Sequence, residues 1–462
     1  MNTPTDSLLP LLQEIVGSKN LFHDTADCWP YGYDNSRRHS PPDFVAFPET
    51  HEHVVELVKL CNLHKLPVLA RGRGTGTTGS CVPIYQGLVI SFEKMDRILD
   101  IDPNNRVIVA QPGVTNGRLQ KAAAEHGFFW PPDPTSSNFC SIGGNLAFNS
   151  AGPRTVKYGT PRENTLGLRI VTGSGASLRT GVYTSKGVVG YDLTRLVIGS
   201  EGTLAIITEA TLKLTPLPET KRTMRAIYQT MGEAAHAVSR IMAQPVTPCA
   251  LEFIDQTAIE MIRNYSQAIL PTNAGALLMI EVDGLESSMP ASLAAIKQAA
   301  QCKGLLEFTV ASSTEEVNAL WATRKALSPA LRNVAPKKIN EDIVVPVSNM
   351  AKLIDGLSAL SQQHEIKIVN FGHAGNGNIH VNLLTNPDDP IEQKRAEQCL
   401  ADVFKLVLEL KGTLSGEHGV GLEKRDFIRL ELDETAITLM KAIKAQFDPL
   451  NILNPDKALP LS

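Results

Sequence analysis

The chain has 462 residues, of which 43% are hydrophobic and 20% are charged, and its formal net charge is -4. This length fits two or three domains, and the slightly acidic balance argues against a protein that binds nucleic acid. The seven cysteines form no CxxC pair, which favours free thiols in a reducing compartment over a disulfide framework or a cysteine-ligated zinc.

The N-terminal stretch MNTPTDSLLPLLQEIVG is predicted to form an amphipathic helix. It lacks a basic n-region and a long apolar core, so it does not have the pattern of a signal peptide. No stretch reaches the roughly 18 apolar residues that a membrane span needs. We expect a cytoplasmic protein without a transmembrane segment, and peripheral attachment to the inner membrane is the alternative.

A predicted β-α-β unit leads into a glycine-rich loop. Its strands are residues 44–47 and 66–69, and Thr50 is expected to N-cap the helix between them, residues 51–64. The loop, ARGRGTGTTGS at residues 70–80, contains four glycines. Glycine allows the backbone to approach a ligand closely, and successive amides in such a loop can bind an anion. The loop is therefore predicted to bind phosphate.

The same loop has the GxGxxG spacing of a dinucleotide fingerprint, from Gly74 to Gly79. That fingerprint requires a helix directly after the glycines, whereas Pro83 follows here and disfavours a helix interior. A Rossmann NAD site is therefore disfavoured. The remaining alternatives are a pyrophosphate site formed by the loop's own amides with Arg71 or Arg73, and a plain surface loop.

The rest of the first half is predicted to be rich in strands. A second turn-rich stretch, residues 131–152, has no clear periodicity, and its length is unusual in a compact domain unless it binds something. Glu201-Gly202 is expected to form a tight turn before the last strand. The predicted elements are a helix at residues 115–126 and strands at 88–92, 106–111, 168–172, 196–198 and 203–214.

The sequence changes character near residue 217, where we predict a domain boundary. From residue 224 onward strands alternate with helices in two successive β-α-β passes, which predicts a ferredoxin-like α+β domain. In a helix predicted at residues 314–327, Trp321 and Arg324 share a face. Either the arginine packs on the tryptophan at the surface, or its guanidinium binds the carboxylate of a ligand.

A predicted β-hairpin carries two histidines. Its strands are residues 366–372 and 379–384, and AGNGN supplies the turn. If His373 and His380 pair across it, both imidazoles fall on one face together with Asn382. A single histidine in a strand is usually a core residue, but two of them can hold a divalent metal. The strand predicted before the hairpin is residues 343–346, and the helix after it runs from about 388 to 412.

A third ligand is available further along the chain. Glu417 lies in the glycine-flanked turn SGEHGVG. Two histidines and one carboxylate leave coordination positions open, which suits a catalytic metal more than a structural one.

The motifs of the first half carry a family resemblance. ARGRGTGTTG, PPDPTS, SIGGN, KYGT and GSEGTLAIITEATLKL follow one another over about residues 42–217 and resemble the FAD-binding domain of the vanillyl-alcohol oxidase (PCMH-type) superfamily. The resemblance implies an α+β fold: a PCMH-type FAD-binding domain of two α+β subdomains (1–217), a ferredoxin-like α+β substrate cap (218–415), and a C-terminal helical segment that returns to the flavin (416–462).

The resemblance also implies which residues bind FAD. Many relatives attach FAD covalently through a histidine in the first loop, but no histidine lies between His64 and His126, so non-covalent FAD is expected. The implied FAD-binding residues are Arg71, Gly72, Arg73, Gly74, Thr75, Gly76, Thr77, Thr78, Gly79, Pro132, Asp133, Thr135, Ser136, Ile142, Gly143, Gly144, Asn145, Asn149, Gly152, Tyr158, Gly159, Glu201, Gly202, Ile206, Ile207 and Asn451.

The second half resembles the FAD-linked D-2-hydroxy acid dehydrogenases through FGHAGNGNIHVN, SGEHGVGLEKRDF and FDPLNILNPDK. That group includes D-lactate dehydrogenase, the flavin subunit of glycolate oxidase and D-2-hydroxyglutarate dehydrogenase. The resemblance implies that His373, His380 and Glu417 bind Zn²⁺ or Mn²⁺ and that His418 is the catalytic base. It implies as substrate-binding residues Arg324, Asn382, Lys338 and Trp321.

The function expected from this resemblance is oxidation of a D-2-hydroxy acid, first of all D-lactate to pyruvate, with hydride transfer to flavin N5. Lys337 and Lys338 keep D-2-hydroxyglutarate as an alternative, and glycolate is another. Rivals from other classes are a metallohydrolase that uses the two histidines and Glu417, a transferase resembling alkylglycerone-phosphate synthase, and a binding module. The electron acceptor, whether quinone, cytochrome or electron-transfer flavoprotein, stays open, as does the choice between monomer and homodimer.

Overall fold

The computed structural model describes residues 4–263, 270–331 and 334–461, and these form two compact units. The first unit comprises Met1–Ala151, Gly159–Leu217 and Glu417–Ser462, and the second comprises Gly152–Tyr158 and Pro218–Gly416. Among the described residues, none of the helices combines the length and the apolar character needed to cross a membrane.

Residues 152–158 differ from the prediction, which placed them in the first domain. The structure groups them with the second unit because two of their side chains bind Asp283. Lys157 Nζ donates to the Asp283 backbone carbonyl at 2.9 Å, and the Tyr158 hydroxyl donates to its carboxylate at 2.8 Å. These contacts hold the short helix Thr155–Tyr158 on the second unit.

The glycine-rich loop of the first unit follows a small, mainly parallel sheet. Helix His51–His64 begins where Thr50 Oγ1 accepts the backbone N–H of His53 at 3.2 Å, as predicted. Its Val54, Leu57 and Val58, spaced at helical intervals, pack into the core. The sheet contains, in spatial order, Leu21–Phe22, Phe44–Ala46, Leu88–Ser91 and Val68–Arg71, with only the first strand antiparallel.

A second sheet of the first unit is fully antiparallel. Its strands alternate residues into a core that includes Ile108, Ile170 and Leu212. In spatial order the strands are Ile98–Asp102, Val107–Ala110, Ala205–Lys213, Thr165–Thr172 and Ser177–Gly181. A separate strand pair consists of Phe128–Phe129 and Thr215–Pro216.

One prediction for the first unit is wrong, and one stretch without a predicted element contains a helix. The strand predicted at residues 196–198 is instead the end of helix Leu193–Val197, because Asp192 caps that helix by accepting the N–H of Arg195 at 2.9 Å. The stretch without clear periodicity contains helix Ile142–Phe148, whose Ser141 cap accepts the N–H of Gly144 at 3.2 Å. At residues 196–198 the local cap outweighed the residue preferences on which the strand prediction rested.

The remaining helices of the described first unit lie around these sheets. They are Pro4–Val16, Thr25–Cys28, Asn116–Ala124, Ile428–Glu431 and Glu434–Phe447, with 3-10 turns at Ser18–Asn20, Trp29–Tyr31, Phe92–Lys94 and Arg425–Phe427.

The second unit is built on one antiparallel sheet of seven strands. Its first four strands in chain order, with the helices between them, give the strand-helix-strand repeat predicted for a ferredoxin-like domain. The two hairpin strands and the strand before them extend that sheet. In spatial order the strands are Leu305–Val310, Thr220–Tyr228, Ala276–Gly284, Ala250–Asp255, Lys367–His373, Asn378–Thr385 and Lys337–Val344.

The last of these strands begins earlier than predicted. We predicted a strand at residues 343–346, whereas the structure has Lys337–Val344. Each of its residues pairs with one of Asn378–Thr385, from Lys337 opposite Thr385 to Val344 opposite Asn378. The backbone hydrogen bonds of this ladder outweigh the weak strand preference of lysine and glutamate.

One helix of the second unit shares an apolar cluster with the hairpin strands of this sheet. Helix Thr314–Leu331 packs Leu327 and Leu331 into the same apolar cluster as Val369 and Phe371 of the hairpin. The other described helices of this unit are Met231–Ala243, Gln256–Ile262, Met289–Ala300, Met350–His364 and Pro390–Glu409, with 3-10 turns at Glu286–Ser288, Val347–Asn349 and Ala374–Asn376.

Candidate functional site

The first unit contains a cavity, which we call the cofactor cavity, with about 590 Å³ of space that protein atoms leave empty, counting its mouth. Side chains that were not predicted also line it, among them Phe92, Pro112, Ser141 and Phe148. Of the predicted FAD residues, those that line it are Gly72, Gly143, Gly144, Glu201, Gly202 and Ile207. Three motifs that are far apart in sequence therefore meet around one space.

Two glycines of this cavity have different surroundings: Gly202 borders open space, and Gly72 packs closely against Ser141. Gly202 has φ +72°, and a Cβ added to it would meet no atom within 4 Å, so a side chain there would extend into open space. At Gly72 an added Cβ would lie 2.3 Å from Ser141 Oγ. This cradle suits a cofactor that lies close to the backbone, as the resemblance to FAD proteins implies.

The two arginines of the glycine-rich loop have different environments. Arg71 is buried, and its guanidinium donates to the carbonyl oxygens of Tyr33 at 2.8 Å and Cys81 at 3.5 Å. Arg73 is partly exposed and lies 3.9 Å from the Glu93 carboxylate. Arg71 therefore supports the loop from within, and Arg73 is the more accessible cation for a phosphate.

Other predicted FAD residues lie away from the cavity lining. Ile206 packs in the apolar core of the first unit, and Asn145 bonds Asn116 Nδ2 through its Oδ1 at 3.2 Å. Gly152 and Tyr158 belong to the second unit. The residues that do not line the described cavity also include Pro132, Asp133, Thr135, Ser136, Asn149, Gly159 and Asn451.

Glu201 attaches the turn that carries His418 to the glycine-rich loop. Its buried carboxylate accepts the backbone N–H of Val420 at 2.7 Å and that of Gly421 at 2.9 Å, and it also bonds the Ser80 hydroxyl. Burial raises the pKa of Glu201, and these three hydrogen bonds oppose that rise.

Thr78 makes a second connection to this turn. Its hydroxyl donates to the His418 carbonyl at 3.4 Å. The predicted base therefore lies in the same unit as the cofactor cavity, on a turn that contacts the glycine-rich loop.

A buried lysine from the C-terminal segment contacts the end of the glycine-rich loop. Lys457 Nζ donates to the carbonyls of Ser80 at 3.2 Å and Val82 at 2.7 Å, and to Asn454 Oδ1 at 2.9 Å. Burial lowers the pKa of Lys457 to about 8. Sequence analysis missed this residue, although the motif FDPLNILNPDK contains it.

In the second unit the two hairpin histidines are neighbours on one face of the sheet. The ladder places His380 opposite Phe371 and His373 opposite Asn378, so the histidines are diagonal neighbours and not the direct pair that was predicted. Their ring centroids are 5.3 Å apart, and ring nitrogens of the two lie within 4.8 Å of each other. Both are buried. This spacing is suited to two ligands of one divalent cation.

Glu252, which sequence analysis missed, bonds one of these histidines. Glu252 Oε1 lies 2.6 Å from His373 Nδ1, and Oε2 accepts from Arg324 Nε at 2.7 Å. Burial alone would raise the pKa of Glu252, but its interactions with His373 and Arg324 lower it below its ordinary value. The only sequence signal was a polar residue inside the apolar strand segment ALEFID.

Arg324 and Trp321 are both directed onto the sheet. Arg324 is buried against Glu252 and stacks over the Phe371 ring at 4.8 Å. Trp321 Nε1 donates to the Glu281 carboxylate at 2.8 Å. The surface alternative for Arg324 is therefore wrong, because the guanidinium faces the hairpin strands.

Asn382 offers a buried acceptor on the same face. Its Nδ2 donates to the carbonyls of Val369 and His380, both at 3.1 Å, which fixes the orientation of the amide. Its Oδ1 is buried without a hydrogen-bond partner among the described residues. Lys338 lies opposite Leu384 in the neighbouring strand. An unpaired buried acceptor of this kind indicates a missing donor such as a ligand hydroxyl.

Glu417 follows directly on the last residue of the second unit. Gly416 donates its backbone N–H to Asp342, at 2.8 Å to the carbonyl and 2.9 Å to the carboxylate, and Ser415 Oγ donates to the same carboxylate at 3.1 Å. Asp342 in turn lies opposite His380 in the ladder. The peptide that precedes Glu417 is thus fixed at the strand position opposite a predicted metal ligand.

Comparisons with known proteins identify the families to which the two parts of the chain are similar. Residues 42–181 match the family described as "FAD binding domain", and residues 217–458 match "FAD linked oxidases, C-terminal domain". The chain is 39% identical to glycolate oxidase subunit GlcD of Bacillus subtilis, with 96% of this chain and 95% of that protein covered. It is 33% identical to D-lactate dehydrogenase of Anaerostipes hadrus, with 90% and 89% covered.

A further relative and two solved structures extend the comparison. D-2-hydroxyglutarate dehydrogenase of Stutzerimonas stutzeri is 30% identical, with 98% of both chains covered. A p-cresol methylhydroxylase structure superposes with a TM-score of 0.79 at 18% identity, covering 98% of this chain and 97% of the other. An alkyldihydroxyacetonephosphate synthase gives 0.76 at 20%, covering 99% and 86%. The two structures confirm the predicted PCMH-type α+β fold.

Proposed function

Because this chain belongs to the family of FAD-linked 2-hydroxy acid dehydrogenases, we propose that it oxidises a small D-2-hydroxy acid, with D-lactate to pyruvate as the first choice. Relatives named for glycolate, D-lactate and D-2-hydroxyglutarate support the substrate class. The observation that carries the proposal is the meeting of the glycine-rich loop, the Gly143-Gly144 helix and the His418 turn around or beside one cavity of the first unit.

Residues of the cofactor cavity would hold FAD without a covalent bond. The amides of the glycine-rich loop with Arg73 would bind the pyrophosphate, and the open space above Gly202 would accept part of the cofactor. FAD, when bound, supplies the acceptor for the hydride that leaves the substrate Cα.

His373, His380 and Glu417 would hold Zn²⁺ or Mn²⁺. Two imidazole nitrogens and a carboxylate oxygen are common ligands of both ions, and such a set leaves positions open for a substrate. A divalent cation lowers the pKa of bound water from about 15.7 to roughly 7 to 9, and the same positive charge would favour loss of the proton from a bound substrate hydroxyl.

Three side chains would then have roles in the reaction. His418 takes the hydroxyl proton, since an imidazole is the side chain that most often serves as a general base. Arg324 binds the substrate carboxylate and so determines which face of Cα is presented. Asn382 Oδ1, a buried acceptor without a partner among the described residues, binds the hydroxyl donor of the substrate or of a water.

The surroundings of the lysines favour a small acid over 2-hydroxyglutarate. A second carboxylate would require a second cationic group beside Arg324. Lys337 Nζ donates to Gln393 Oε1 at 2.9 Å, which engages one of the two lysines with the neighbouring helix. Lys338 keeps D-2-hydroxyglutarate as the alternative, and glycolate, which is smaller still, is the other.

Electrons leave the reduced cofactor to an acceptor that we infer to be a quinone, a cytochrome or an electron-transfer flavoprotein. The name of the Bacillus subtilis relative describes it as a subunit of a glycolate oxidase. A cytoplasmic location stays a prediction from the sequence, with peripheral attachment to the inner membrane as the alternative. The sequence leaves open whether the protein is a monomer or a homodimer.

A substrate panel with an artificial dye acceptor tests this proposal. The purified protein is expected to be yellow, to bleach on addition of D-lactate, and to lose turnover when a chelator removes the metal. Colourless protein that hydrolyses esters or amides with an added divalent cation would support the metallohydrolase rival instead. Bleaching by D-2-hydroxyglutarate or glycolate, and not by D-lactate, would support the proposed type of reaction and would show that D-lactate is not the substrate.

A further inference from the structure

We propose that Glu252 is a positioning residue that orients the metal ligand His373 and the carboxylate-binding Arg324 through one shared carboxylate; this inference rests on the proposed function. Its two oxygens are divided between the two partners, 2.6 Å from His373 Nδ1 and 2.7 Å from Arg324 Nε. The Glu252 side chain is only 1% exposed, so water does not compete for either contact.

The histidine contact selects one tautomer. An ionised carboxylate only accepts hydrogen bonds, so Nδ1 of His373 must carry the proton. Nε2 then keeps its lone pair and becomes the nitrogen that can bind a cation. A carboxylate behind a histidine ligand also fixes the ring plane and increases the basicity of the binding nitrogen. Glu252 therefore prepares His373 as a ligand before a metal arrives.

The arginine contact orients the guanidinium. Glu252 accepts a hydrogen bond from Nε of Arg324. Among the described residues, the two terminal nitrogens of Arg324 make no hydrogen bond. Phe371 supports the guanidinium plane from below at 4.8 Å. The two terminal nitrogens are left as a planar fork, which matches the geometry of a carboxylate. One buried residue thus sets both the cation ligand and the anion-binding group.

Sharing one carboxylate makes the two functions dependent on each other. One oxygen of Glu252 contacts His373 and the other contacts Arg324, so any movement of this carboxylate disturbs both contacts. Replacing Glu252 with glutamine removes the charge at nearly constant volume. The glutamine side chain has one oxygen that accepts hydrogen bonds and one NH₂ group that only donates. It cannot accept from His373 and Arg324 as the two carboxylate oxygens do, so at least one contact is lost.

The test compares E252Q with D255N in the full-length FAD-loaded protein. Asp255 is a matched control because it lies on the same strand and is equally buried, but it caps a helix through Ala258 N at 2.7 Å and binds Asn370 N at 2.6 Å. After removal of bound metal, Mn²⁺ or Zn²⁺ is titrated against a competing chelator without substrate. We expect E252Q to bind the ion about 10- to 100-fold more weakly, and D255N to lose thermal stability while keeping its metal affinity.

Kinetics and spectroscopy separate the two partners of Glu252. In E252Q the KM for D-lactate should rise as well, and combining it with R324Q should raise KM no further than R324Q alone, because coupled residues are not additive. In the wild-type protein without metal, ¹⁵N NMR of labelled histidine should show His373 protonated at Nδ1. This last measurement needs no variant and so does not depend on whether E252Q folds.

Three outcomes would overturn the inference. Folded E252Q with wild-type metal affinity removes the positioning role, and so does a His373 protonated at Nε2. A wild-type protein that binds no divalent cation overturns both this inference and the proposed metal site. If E252Q loses metal affinity but no hydroxy acid is oxidised, the His373 role of Glu252 is supported and the proposed reaction is the part that fails.

Discussion

Glu201 accepts the backbone N–H of Val420 at 2.7 Å, although the two residues are 219 positions apart in the sequence. Together with the N–H of Gly421 at 2.9 Å, this contact holds the turn that follows His418. Both amides are satisfied by one buried carboxylate, so the position of the predicted base depends on a residue that lines the cofactor cavity.

Removing the negative charge of Glu201 should loosen this turn. In E201Q one backbone N–H faces an amide that cannot accept, and hydrogen bonds to charged groups contribute about 1.5–3 kcal/mol. We expect the free energy of unfolding to fall by that amount in urea titrations, and residues 418–421 to exchange amide hydrogens faster. S80A, which removes only a hydroxyl donor, should cost about 1 kcal/mol. Equal exchange in E201Q and wild type would contradict the clamp.

Replacing His418 with alanine should abolish proton removal without emptying the sites. We expect H418A to keep its FAD absorbance and its metal content while kcat falls about 10²- to 10⁴-fold, the usual contribution of a general base. H126A, at an exposed position, serves as the control for histidine loss. Wild-type turnover by H418A would remove its assignment as the base.

Replacing His373 should instead remove the metal. We expect H373A to purify with FAD but without Zn²⁺ or Mn²⁺ by elemental analysis, and to lose activity at the same time, because a two-ligand site holds these ions weakly. H364A is the matched control, since His364 is a partly buried histidine of the same unit that bonds Asp402 at 3.0 Å. A metal content equal to wild type would exclude His373 from the ligand set.

Two glycines with the same backbone geometry separate cofactor fit from backbone strain. Gly202 has φ +72° and Gly127 has φ +79°, and an added Cβ meets no atom within 4 Å at either. G202A and G127A should each lose about 1–2 kcal/mol of stability through the left-handed backbone. Because only Gly202 lines the cofactor cavity, only G202A should bind FAD more weakly in fluorescence titrations. Equal FAD affinity in both variants would place the cofactor elsewhere.

Lys457 should make stability depend on alkaline pH. Burial lowers its pKa from 10.5 to about 8 in the folded protein, so between these values the unfolded chain binds more protons than the folded one. Stability from this group is therefore complete above pH 10.5 and is lost as the pH falls to 8. The wild type should gain up to about 3 kcal/mol over K457M across this window in urea titrations. K121M, at an exposed lysine, should show no such change, and a flat difference for K457M would refute the lowered pKa.

Much of the fold could be predicted because its signals are local. Helix His51–His64 and its Thr50 cap, the glycine-rich loop and the histidine hairpin each depend on residues within a few positions of one another. Periodicity, caps and turn residues act over that distance. The family resemblance added FAD chemistry and the proposed role of His418 as base, which no local pattern could supply.

The tertiary structure decided which side chains meet. Arg324 lies 72 positions and His373 lies 121 positions from Glu252, and nothing in the strand segment ALEFID indicates that its glutamate bonds both. The sequence likewise does not indicate that Lys457 bonds the carbonyl of Ser80 in the glycine-rich loop. Nor does it indicate that Glu201 accepts backbone amides of the turn that follows His418. A buried charge is stable only where hydrogen-bond or ion-pair partners surround it. Here those partners are far away in the sequence, and their sequence positions do not show which of them meet in space.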